Sequence, residues 1–204
     1  GKSYSDVKPI DLERGVRLAL AVAVRVKKDS AAAIRIAEAV AHSNSSRDHL
    51  KIKARRWITE LRQWSSEKKS EIQSDSSAIE AAWKLVKLTP DSEDSLLVDQ
   101  GDINYLRASE LMHQLLLKFP NSKQTPQAYY LIGLSYEAWT DLGLWSLPEM
   151  YYERCIQSAP HSAIARSCFD RYKESVVVGF TGSRGTSIPA SIRQHIQKLK
   201  EMAQ

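Results

Sequence analysis

Any catalytic or metal chemistry in this chain would fall to five histidines, two cysteines and one Gly-rich loop. His42, His49, His113, His161 and His195 never stand three or four residues apart, and neither cysteine lies at a zinc-site spacing. No helix face therefore gathers metal ligands. No cluster of carboxylates stands out as an acid–base pair, and no G-x-S-x-G elbow presents a nucleophile. The loop Gly179–Ser187 offers amides and hydroxyls ahead of a helix, as anion cradles do, but it lacks the lysine of a P-loop. Gly182 and Gly185 match a GxxG nucleic-acid clamp, yet no strand pattern surrounds them. A loop wrapping the end of a helical stack is the expected reading. No enzyme activity, metal or cofactor is expected.

The elements that would position these residues are helices. Three segments share one pattern, an apolar stripe that stops at a proline. Ala78, Ala82, Leu85 and Pro90 stand at offsets of four, three and five, as do Ala108, Met112, Leu115 and Pro120, and Pro148, Tyr152, Cys155 and Pro160. Offsets of three and four share a helix face, and a proline past the last turn ends the helix. Repeated helix-then-stop units mark proteins whose faces are buried only against neighbouring units. Upstream, helices are predicted over Val16–Lys27, from a cap at Asp29 or Ser30 through Val40, and over the stripe Leu50, Ala54, Trp57, Ile58, Leu61 and Trp64. Ser45 with Asp48 and Ser77 with Glu80 read as capping boxes. Ser65–Ser77 reads as a connection, and Ser92–Gln100 as a weak helical segment. Further helices are predicted over Gln127–Thr140, Pro148–Ser158, Ser162 to about Ser175, and from Pro189 to Met202.

The fold class predicted is all-α, with antiparallel helix pairs. Three regions are expected: a basic helical region over 1–75, repeats over 76–175, and a Gly-rich loop with a capping helix over 176–204. Residues 1–73 hold 16 Lys and Arg against 9 Asp and Glu, while the rest of the chain is slightly acidic. Arg47, Lys51, Arg55 and Arg56 could attract an anionic partner such as nucleic acid, although a solvated helix surface has the same pattern. The longest apolar run, Leu18–Val24, is too short to span a bilayer. The chain has no initiator Met and no signal sequence, so a processed or trimmed chain is expected.

Phe119-Pro120-Asn121-Ser122, then Ala128-Tyr129-Tyr130-Leu131-Ile132-Gly133 and Tyr136, resembles a tetratricopeptide repeat junction. The pattern is most similar to the repeats of bacterial envelope proteins, such as the outer-membrane barrel-assembly lipoprotein and the periplasmic cell-division coordinator. Pro160-His161-Ser162 with Ala165 and Cys168 repeats the junction in degraded form. The resemblance covers roughly residues 103–172 and departs at Pro148 and in the long turn Asp141–Leu147. It implies a short α-solenoid that works as a non-catalytic adaptor, periplasmic or associated with the outer membrane, with room for a lipid anchor ahead of residue 1. Its groove would take a protein or peptide on Gln127, Tyr130, Leu134 and Glu137, with Trp139 and Trp145 at the rim. Tyr129, Tyr136 and Tyr152 would pack inside, and Gly133 would allow a close helix crossing. Cys155 and Cys168 sit nearly symmetrically about the Ala159–Ser162 turn, which permits either buried thiols or a disulfide. The envelope resemblance implies the disulfide.

Overall fold

The computed structural model describes residues 9–44, 46–67, 72–87, 102–139, 146–183 and 185–204, with side chains from residue 12 onward. Among the described residues the fold is all-α. The helices are α1 (Pro9–Ala21), α2 (Ser30–His42), α3 (Asp48–Ser66), α4 (Asp75–Lys87), α5 (Asp102–Lys118), α6 (Thr125–Glu137), α7 (Leu147–Ser158), α8 (Ala163–Gly179) and α9 (Ala190–Ala203). A π-helical turn over Val22–Val26 continues α1. The chain forms two compact units, one of residues 1–71 and 84–107 and the other of 72–83 and 108–204. This division differs from the three regions read along the sequence, because α4 and α5 contribute to both units and 176–204 belongs wholly to the second.

Local signals place the helix ends. Asp29 accepts a hydrogen bond from the Ala32 amide at 2.9 Å and caps α2, and Ser162 accepts from Ala165 at 3.2 Å and caps α8. At α4 the box lies three residues upstream of the expected one. Ser74 accepts from the Ser77 amide at 3.1 Å, while Ser77 accepts from the Ser74 amide at 3.2 Å. The Ser45–Asp48 box and the Ser92–Gln100 segment involve residues outside those described. Pro126 and Pro148 occupy first turns of α6 and α7, where their missing N–H costs nothing. α8 runs past its expected end to Gly179, because Val176 is buried in the same core cluster as Leu199 and Ala203 of α9.

In the first unit, Leu20, Ala23 and Val24 are buried, as are Ala33, Ala37 and Val40 of α2 and Leu50, Ala54, Trp57 and Leu61 of α3. Arg17 is buried too, at 0% exposure. Its Nη2 lies 3.6 Å from Asp102 Oδ2, which also accepts a 2.8 Å hydrogen bond from Trp57 Nε1. Glu60 of α3 accepts from the amides of Ile103 and Asn104 at 3.1 and 3.4 Å. A carboxylate thus meets the open amides at the positive end of α5. Removing either member of a buried pair leaves a charge without compensation, at about 3–5 kcal/mol, so this cluster sets the approach of α5 to α1 and α3.

The second unit carries the repeat signature. The stripe residues Ala78, Ala82, Leu85, Ala108, Met112, Leu115, Tyr152 and Cys155 are buried, as is Pro148; of these, Leu85 is the one that belongs to the first unit. α6 packs on α7 and α7 on α8 as adjacent pairs, and α9 closes on α8 and α7. A Cβ built on Gly133 would lie 2.4 Å from Cε1 of Tyr152, well inside contact distance. Between α7 and α8, His161 takes a positive φ of 59°, and its amide donates to the Met202 carbonyl of α9 at 2.8 Å. Cys155 and Cys168 are joined as a disulfide, with Cα atoms 6.3 Å apart. Closing a short loop of this kind stabilises by about 3 kcal/mol in the chain-entropy account. Alkylation of the unfolded, unreduced protein should therefore label neither cysteine, and reduction should lower unfolding stability by about 3 kcal/mol in urea. Two labelled thiols in material made in an oxidising compartment would contradict the link.

Candidate partner-binding face

α6 divides its residues between two duties. Ala128, Leu131, Ile132 and Gly133 are buried. Gln127, Tyr130, Leu134 and Glu137 are all half-buried and recur at offsets of three, four and three, so they form one stripe. The structure therefore brings together four of the expected groove residues. Tyr130 also packs on its neighbours, with ring centroids 6.0 Å from Trp83 of α4 and 6.1 Å from Tyr152 of α7. Trp139 departs from the expected rim position. It is 2% exposed, and its large ring is used in packing. Trp145 lies outside the described residues.

The other tyrosines gather on a second cluster. Tyr136 stacks on Tyr151 at 5.5 Å, Tyr129 meets the same ring at 6.2 Å, and His113 stands edge-on to it at 5.8 Å. Offset and edge-on pairs of this sort each stabilise by about 0.5–1.5 kcal/mol beyond their buried area. Tyr129 and Tyr136 thus pack between helices, as the resemblance implies, although both stay half-buried.

The electrostatics of the stripe centre on Glu137. Arg171 of α8 places Nη1 3.8 Å from its carboxylate and 3.7 Å from that of Glu174. The buried Tyr152 hydroxyl lies beside Glu137 without closing a hydrogen bond of normal geometry. Burial raises the Glu137 pKa above the ordinary glutamate value, and the attraction of Arg171 only partly offsets this. Burial and the facing Glu137 together drive the Tyr152 phenol far above its ordinary value. Both therefore stand partly desolvated where α6, α7 and α8 meet. The Oε1 of Gln127, at the opposite end of the stripe, is buried and accepts no hydrogen bond.

The basic residues behave as a helix surface. Arg47 and Arg55 are exposed, and Lys51 and Arg56 are half-buried. Lys51 pairs with Asp48 of its own helix at 3.9 Å. Lys51 and Arg55 stand four residues apart and so share one side of α3, and Arg47 precedes the helix as its extended N-cap residue. The Gly-rich loop is a tight exposed hairpin, β1 (Thr181–Gly182) against β2 (Gly185–Thr186), which sequence periodicity gave no hint of. Gly185 takes a φ of 97° at its turn, a conformation that side chains disfavour.

Among the described residues no group of three or more His, Cys, Asp or Glu could hold a metal ion. No described helix is long and apolar enough to cross a membrane. Comparison with protein-family models, curated proteins and solved structures finds no match to this chain.

Three participants escaped the sequence reading: Trp83, Arg171 and the buried Arg17–Asp102–Trp57 cluster. Arg17 had a signal, since it lies three and seven residues ahead of Leu20 and Val24 on the buried side of α1 and its π turn. Arg171 had none, because its partner stands on another helix 34 positions away.

The raised Glu137 pKa has a definite sign. The folded chain holds this carboxyl proton more tightly than the unfolded chain does. The stabilisation is therefore complete below the ordinary value of 4.5 and is lost as pH rises through the higher folded value. Glu137→Gln should raise the urea midpoint at pH 7, with the gain disappearing below about pH 4.5. A lowered midpoint at pH 7 would mean that pairing with Arg171 outweighs desolvation.

Proposed function

We propose that this protein is a non-catalytic, tetratricopeptide-like adaptor of the bacterial cell envelope, periplasmic or associated with the outer membrane. The observation that carries the reading is the division of α6. Ala128, Leu131 and Ile132 are buried on one side, and Gln127, Tyr130, Leu134 and Glu137 lie half-buried in a row on the other, with Tyr152 packed along one edge of that row at Gly133. Repeat helices that pack on one side and stay open on the other are suited to holding an extended segment or a partner helix. Tyr130 supplies large area at low entropy cost, the usual character of a binding hot spot. The disulfide Cys155–Cys168 favours an oxidising compartment. The envelope repeats resembled over 103–172 supply the bacterial part of the reading, and a lipid anchor ahead of residue 1 would fit it.

The alternative is an anionic partner, nucleic acid included, on Arg47, Lys51, Arg55 and Arg56, favoured by the shared side of Lys51 and Arg55 on α3. A photo-crosslinking amino acid at Leu134 or at Arg55, introduced in the protein's native cells, separates the two. Crosslinks to a discrete protein should form from Leu134, and Tyr130→Ala should weaken that complex by about 2 kcal/mol. Because Tyr130 also packs on Trp83 and Tyr152, affinity should be read well below the melting temperature of the variant. Crosslinks from Arg55 alone, with affinity falling steeply in salt, would move the working surface to α3.

A further inference from the structure

We propose that the partner of this face presents a lysine or arginine to Glu137, three residues along a polyproline-II segment from an apolar side chain seated on Tyr130 and Trp83. The inference rests on the adaptor reading and names the chemistry of its partner.

Two observations carry it. Glu137 is half-buried, yet its cation neighbour Arg171 stands at 3.8 Å, outside hydrogen-bond range. The exposed Glu174 shares that same guanidinium at 3.7 Å, so Arg171 is not committed to Glu137 alone. A carboxylate at one end of the stripe and the aromatic rings of Tyr130 and Trp83 further along suit a segment that brings a cation and an apolar anchor. Glu137 is held there at a net desolvation cost to the free protein, a cost that an incoming cation would offset.

The spacing follows from helix geometry. Tyr130 and Glu137 are seven residues apart on α6, which is about 10.5 Å at 1.5 Å per residue. A polyproline-II segment has three residues per turn and a rise of about 3.1 Å, so side chains three residues apart share one face and stand about 9 Å apart. The recognition pattern is therefore apolar-x-x-basic, read in either chain direction along the stripe.

Pools of nine-residue peptides test this. Each pool carries Leu at one position and Arg, Lys, Glu or norleucine three positions on, with the remaining positions random. The intact, oxidised protein should retain the Arg and Lys pools about tenfold more than the Glu and norleucine pools. Glu137→Gln, checked for an unchanged fold by circular dichroism, should abolish that preference and leave retention of the norleucine pool in place. Equal retention of all pools, still weakened by Tyr130→Ala, would overturn the basic-partner inference and leave the groove reading standing. Retention of none, or retention indifferent to Tyr130→Ala, would overturn both.

Discussion

The second unit depends on one close approach, the contact of α6 with Tyr152 of α7 at Gly133. Only a residue without Cβ fits there, since the added atom would stand 2.4 Å from the ring. The contact determines which side of α6 faces inward, and hence which side carries Gln127, Tyr130, Leu134 and Glu137. It also buries Tyr152, which in turn receives Tyr130 on one side and brings its hydroxyl beside Glu137. Packing and the candidate face are thus two consequences of the same crossing. Three residues further along α7, Cys155 ties it to α8, the helix that carries Arg171.

The first unit is organised by a different force. A buried Arg17 stands between Asp102, at 3.6 Å, and Glu13 of its own helix, at 3.8 Å. Such pairs add less stability than an apolar replacement of equal volume, but they penalise arrangements in which the charge is left alone. Trp57 adds direction, because its indole N–H must find an acceptor once the ring is buried, and Asp102 supplies it at 2.8 Å.

Helical periodicity made most of the fold legible, for a physical reason. The stripe residues Ala78, Ala82, Ala108, Met112, Leu115 and Cys155 read as one face because burial imposes a spacing of three and four. Gln127, Tyr130, Leu134 and Glu137 came instead from the resemblance to tetratricopeptide repeats, and their offsets of three and four put them in one row on α6. Trp139 could not be placed, because a ring just past a helix end packs according to what lies opposite it in space. The surroundings of Glu137 were invisible because they join α6, α7 and α8. The hairpin at Thr181–Thr186 was missed because four strand residues are too few to show a period of two. The boundary of α8 was missed because Val176, Val177 and Val178 favour strands by propensity, and burial of Val176 against α9 overrides that.

A double-mutant cycle on Gly133 and Tyr152 tests the crossing most directly. Gly133→Ala alone should destabilise by about 1–3 kcal/mol through overpacking, and Tyr152→Leu alone through the volume it removes. Together they should cost at least about 1 kcal/mol less than the sum, because the smaller side chain leaves room for the added methyl. Additivity within about 0.5 kcal/mol would mean that Gly133 and Tyr152 do not meet, and the placement of the α6 stripe would fall with that contact.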